Sequence, residues 1–214
     1  MRIIGLSINR LTSHHKHFKI YSKNMSKIPL FLCFVVIGFT SCKNPDKEID
    51  RLEIAKKYYE VLEQSNVSEV ENLLTDSLLT KETQYDYEQI FTKKEYVDWL
   101  TWDAVYEPTY KILEIEQENG TVKAKVSKMD KRISFLHQEP IITEQVIHFE
   151  NNKISRIETV NYVVFKDAIF VKNRDELVNW IENNHPELSG FIHDQTKTGG
   201  VKYLKAIELY KNEK

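Results

Sequence analysis

The chain has 214 residues, 41% hydrophobic and 29% charged, which suits one globular domain with a sizeable core. Its net charge of -2 hides an asymmetry: residues 1–41 hold six Lys and Arg and no acid, so residues 42–214 hold 24 basic against 32 acidic residues, a net of -8. That acidic body argues against a nucleic-acid partner gripped through phosphates. The two cysteines, Cys33 and Cys42, lie in or beside one apolar run, leaving the body no disulfide, thiolate metal site or thiol nucleophile.

From Pro29 to Phe39 the run PLFLCFVVIGF is apolar for about eleven residues, short of the roughly 20 needed to span a bilayer as a helix and right for a signal-peptide core. Lys27 supplies a positive start if translation begins at Met25, so residues 1–24, with His14, His15 and His17, read as an upstream extension of the gene. Residues 25–41 then form the signal peptide. The ending Phe39-Thr40-Ser41-Cys42 resembles a bacterial lipoprotein signal of the Bacteroidetes type, although Phe39 stands where an aliphatic residue is usual. The resemblance implies cleavage before Cys42 and acylation of Cys42, with acyl chains replacing the removed segment as the anchor. An uncleaved signal anchor or a plain secretory signal is the alternative. The implied location is the cell envelope, with the membrane as a partner through the lipid. Residues 42–48 are polar and contain a proline, a tether ahead of the fold.

The body opens with IDRLEIAKKYYEVLEQ, where Leu52, Ala55, Tyr59 and Leu62 recur at helical spacing. Ser68 and Glu71 form a capping-box pattern ahead of a second, shorter helix, and Thr92 with Glu95 repeats it ahead of a third over 93–104. The period then changes to two. YKILEIE and TVKAKVSK flank QENG as one hairpin, and the run from Ile141 to Phe165 holds another around Asn151-Asn152. Asn173 caps a helix over NRDELVNWIENN, His185-Pro186 interrupts, and GGVKYLKAIELYKNEK closes as an amphipathic helix.

Helices followed by antiparallel strands predict an α+β class. The order resembles the NTF2-like (SnoaL-like) superfamily over residues 49–165, on the opening YYEVLEQSNVSEVENLLTDSLL, the helix near 93–104 and the two long hairpins. The resemblance implies a cone: N-terminal helices packed in a curved antiparallel sheet around a cavity, often in homodimers. Residues 166–214 read as a C-terminal helical extension.

Enzymes of that superfamily, such as steroid isomerases and polyketide cyclases, use cavity Asp, His and Tyr for proton transfer. Asp103, His137, His148 and Asn161 are the polar candidates here, but none matches a catalytic motif, so no catalytic role is carried over. Asp103 reads as a general base or as a capping carboxylate. His148 shares a strand face with Val146; an inner face would aim it into the cavity, and a hydrogen-bonded structural histidine is the other reading. His185 and His193 are eight apart with no third ligand near, so neither a metal site nor a cofactor is expected. The aromatics before residue 110, with Tyr59, Trp99 and Trp102 foremost, suit a cavity for a small apolar ligand or simply a bulky core. The functional expectation is an envelope-anchored binding protein for such a ligand or for a protein partner; an isomerase, cyclase or dehydratase working through an Asp or His is the alternative. A filled cone favours interaction, an apolar pocket favours binding, and a buried carboxyl or imidazole beside a tyrosine favours catalysis.

Overall fold

A computed structural model describes residues 50–213. The segments 1–24, 25–41 and 42–48, and with them Cys42, lie outside the described residues. Helix α1 (Arg51–Glu63) begins where Asp50 caps it, its carboxylate accepting from the Leu52 and Glu53 amides at 3.0 and 3.4 Å. Helix α2 (Val67–Leu73) starts one residue before Ser68, so Ser68 lies inside the helix and the expected capping box is absent. Asn66 takes the cap position, and its amide donates to Glu69.

Two strands then appear that the sequence pattern did not announce, β1 (Leu74–Glu82) and β2 (Tyr87–Thr92), joined through a short 3₁₀ turn at Thr83–Tyr85. Helix α3 (Lys93–Ala104) carries the capping box read from Thr92 and Glu95, with both reciprocal bonds made. Strands β3 (Thr109–Glu118) and β4 (Thr121–Met129) turn through Asn119 and Gly120, both at positive φ, as a tight hairpin requires. A six-residue helix α4 (Lys131–Leu136), also unannounced, precedes β5 (Ile141–Glu150) and β6 (Lys153–Val164), whose turn Asn151-Asn152 is again left-handed. Helix α5 (Asp167–Asn184) begins six residues before Asn173, so Asn173 is no cap. Its side chain instead donates to the Leu136 carbonyl at 2.8 Å, tying α5 to α4. Helix α6 (Lys197–Glu213) ends the description.

The six strands form one curved sheet in the order β2-β1-β6-β5-β4-β3. Every pair is antiparallel except β1 with β6, which run parallel, so the sheet is mixed where an antiparallel one was expected. A parallel pair needs a long crossover, and the chain between β1 and β6, which runs through β2, α3 and the β3–β5 meander, supplies one. Bulges in β3 at Ile112/Glu114 and along β5–β6 bend the strands. The fold is therefore the α+β arrangement of helices held in a curved sheet that the superfamily resemblance implies.

The inner face of the sheet carries Leu78, Val122, Val126, Ile147 and Ile157 against Ala55, Tyr58, Val61 and Leu62 of α1 and Tyr96 and Leu100 of α3. Burial of such side chains is worth roughly 1.5–3 kcal/mol each and dominates the stability. The described residues all fall within one compact unit, the C-terminal helices included. At Gly200 an added Cβ would lie 3.2 Å from both Trp102 and Val105, so α6 rests directly on α3. His137 pins α4 to α5: the Lys166 amide donates to its Nε2 at 2.7 Å, so the proton sits on Nδ1, which donates to the Glu139 carbonyl.

Candidate functional site

Asp103, from the last turn of α3, is 2% exposed and sits in a network of buried charges. Lys128 of β4 donates to both its oxygens at 2.7 Å, Tyr110 of β3 donates at 3.2 Å, and Arg132 of α4 stands 3.8 Å away. Asp130 balances the second cation, 3.5 Å from Arg132, and caps α4 through the Ile133 amide. Burial alone would raise the Asp103 carboxyl, but Lys128 and Arg132 outweigh it and hold the group below its ordinary range. A carboxylate neutralised this firmly is a poor proton acceptor. Asp103 thus joins α3, β4 and α4 through an ion pair, while also bordering the small space between α1, α2 and α3.

Trp102 lies buried in the same region, with Arg132 stacked 4.8 Å from its ring and from that of Tyr106. Trp99 is half-buried between Tyr96 and Trp102. The space between α1, α2 and α3 amounts to about 10 Å³ beside Leu62, Leu100 and Asp103, too small for any ligand. That space is closed by the side chains that border it.

His148 pairs across the sheet with Arg156 and lies 3.9 Å from Glu158, on the opposite face from the fully buried Ile147. It belongs to the outer face, away from the core, and the expectation that it lines a cavity is corrected. Burial and the neighbouring Arg156 push its imidazole down, toward the neutral form. Asn161 is exposed and donates to Glu144. His185 and His193 are not joined by a third ligand, and no metal-holding group of three occurs among the described residues.

Tyr59 leads to a different part of the inner face. Its hydroxyl donates to Gln145 Oε1 at 2.7 Å, and Gln145 donates to Thr143 at 3.2 Å. Register places Gln145 of β5 beside Thr159 of β6, and Thr159 beside Glu82 of β1. Since Leu78 of β1 points into the core, Glu82, four residues on, shares its face. Glu82, Thr159 and Gln145 therefore form a polar row, all half-buried, across the middle of the inner face. Tyr162 donates to Glu82 Oε2 at 2.9 Å, and Tyr85 packs edge-on against Tyr162 at 5.5 Å.

Burial raises the Glu82 carboxyl, and the Tyr162 hydrogen bond only partly opposes it. Glu82 and Asp103 are thus driven in opposite directions: Asp103 toward the carboxylate by Lys128 and Arg132, Glu82 toward the protonated form by burial. Sequence reasoning missed Glu82 because it missed β1. The signal was Leu78, Thr80 and Glu82 at alternate positions, blurred by the adjacent Leu78-Leu79 pair.

On the outer face, Glu114, Glu116, Lys123, Lys125 and Glu144 border a trough of about 340 Å³ with Val146 and Val160 in it.

No family model matches this chain, and no curated protein matches it. Among solved structures, an NTF2-like protein of unknown function from Cytophaga hutchinsonii is similar at 11% identity and TM-score 0.42, over 52% of this chain and 88% of its own. A putative ketosteroid isomerase from Kribbella flavida is similar at 11% identity and TM-score 0.46, over 54% and 80%. The epoxide hydrolase/cyclase-like SalBIII, named for pyran ring formation in salinomycin, is similar at 11% and TM-score 0.44, over 51% and 88%.

Proposed function

We propose that this chain is a lipid-anchored protein of the bacterial envelope that binds a small, largely apolar ligand on the inner face of its sheet. The observation that carries the binding reading is the Glu82–Tyr162 pair: a carboxyl half-withdrawn from water beside aromatic rings, in a row whose neighbours Thr159 and Gln145 offer hydrogen bonds. Ligand sites combine an apolar surround with a few placed polar groups in this way, whereas the Asp103 region is filled.

Native mass spectrometry of the purified protein tests the binding: a co-purifying small molecule in the wild type, lost in Tyr162→Ala, is expected. Identical bare masses in both would overturn it. Anchoring is supported by the short apolar run ending in Thr40-Ser41-Cys42. A fatty-acid probe should label the wild type and not Cys42→Ala; equal labelling of both would sink the anchor.

A second reading, proton transfer by Glu82, is favoured by the same carboxyl–tyrosine pair. It predicts that the protein exchanges an α-proton of a bound ketone into deuterated water faster than Glu82→Gln does; equal rates would remove it. A homodimer is also proposed, formed across the outer face, whose alternating Lys and Glu columns complement a second copy.

A further inference from the structure

Most buried or half-buried carboxylates of the described chain have a cationic partner: Asp103 has Lys128, Asp130 has Arg132, and Glu158 has Arg156. Glu82 differs, since no side-chain cation among the described residues stands within ion-pair distance of it. Its neighbours along the row, Thr159 and Gln145, are neutral. The basic residues nearest in register, Lys81 and Arg156, belong to the outer face, Lys81 beside Glu158 and Arg156 beside His148. Tyr162 satisfies one Glu82 oxygen, and the other accepts no hydrogen bond from the described residues. A carboxylate withdrawn from water without a counter-charge is held at a cost to the folded chain.

We infer that the ligand of this face carries a protonated amine, seated on the free oxygen of Glu82 beside the packed rings of Tyr85 and Tyr162. The inference rests on the binding reading above and names the ligand's chemistry. The two rings meet edge to face at 5.5 Å beside the carboxylate, and electron-rich ring faces with an adjacent negative group are what an ammonium seeks. An anionic ligand finds no cation in the row and meets a body of net charge -8. A neutral ligand adds no positive charge to the carboxylate. An amine supplies that charge and donates to the free oxygen. Thr159 and Gln145 extend the polar strip toward β5, so a second hydrogen-bonding group one strand spacing away, about 5 Å, is accommodated.

Calorimetric titration of the purified protein at neutral pH with 2-phenylethylamine, 2-phenylethanol and phenylacetate separates the alternatives, because the three share a ring and differ in the head group. The amine is expected to bind at least about tenfold tighter than the alcohol, with phenylacetate weakest, and Glu82→Gln is expected to erase the amine's advantage while leaving the melting temperature no lower. An amine that binds no tighter than the alcohol, or whose advantage survives in Glu82→Gln, overturns the amine inference and leaves the binding site standing. If none of the three gives heat, and none shifts the Tyr162 ring resonances, the binding reading falls and this inference with it.

Discussion

Asp103 and Glu82 are both carboxyls withdrawn from water, and their surroundings give each an opposite dependence of stability on pH. For Asp103, burial raises the carboxyl but Lys128 and Arg132 outweigh it, so the folded value lies below the ordinary 3.8. Its contribution is therefore present above that value and lost as the pH falls through the lowered one. Asp103→Asn leaves Lys128 and Arg132 short of a partner and should cost about 3–5 kcal/mol at neutral pH. The deficit should shrink as acid protonates the wild type. For Glu82 the folded value lies above 4.5, raised by burial, so its contribution is present below 4.5 and lost as the pH rises through the raised value. Glu82→Gln should melt at a higher temperature than the wild type at neutral pH, and the gap should close below pH 4.5. A Glu82→Gln that melts lower at neutral pH would mean that Glu82 is a structural anchor and not a strained binding group. A residue kept at a cost to stability is what a functional site looks like.

Among the elements, those whose signals are local were legible in the sequence and those held by distant partners were not. The hairpin turns at Asn119-Gly120 and Asn151-Asn152 could be read because positive φ demands such residues, and α3 because Thr92 and Glu95 satisfy each other three residues apart. Helix α4 has six residues and no stable existence by itself; it stands because Arg132 pairs with Asp103 of α3, far back in the chain, while Asp130 pairs with Arg132 and caps the helix. Asn173 looked like a cap because capping and mid-helix tertiary bonding use the same amide, and only the position of Leu136 decides between them. Alternation placed His148 opposite Ile147 correctly, but which face is inner depends on where the helices pack. Asp103 was visible as a residue while its cations, from β4 and α4, were not. The seating of α6 is testable at one position: Gly199 is buried, and a Cβ there would come within 2.0 Å of the Asp194 carbonyl oxygen. Alanine normally strengthens a helix by about 1 kcal/mol over glycine. Here Gly199→Ala should lower the melting temperature instead, while Val201→Ala, on the exposed side, should leave it near the wild type. An unchanged or raised melting temperature for Gly199→Ala would show that the start of α6 is not held against Asp194.

At the scale of the whole described unit the outer face of the sheet is a broad surface that the described helices leave uncovered. Its charges run in columns: Glu114 and Glu116 on β3, Lys123 and Lys125 on β4, Glu144 on β5, with Val146 and Val160 between them. Lys125 and Glu144 are register partners, so they stand at the same height on neighbouring strands. A two-fold axis running along the strands between β4 and β5 would therefore set Lys125 of each copy over the partner's Glu144. An axis along β4 itself would oppose lysine to lysine. Charge pattern thus selects one isologous arrangement. Sedimentation equilibrium should give a concentration-dependent mass for the wild type, and Lys125→Glu and Glu144→Lys should each shift it toward the monomer. The reciprocal double variant should recover association, because it restores each cross-copy pair with the signs exchanged. A wild type that stays monomeric at every concentration, or a double variant no better than the singles while all of them keep the wild-type melting temperature, would remove the outer face as a self-association surface.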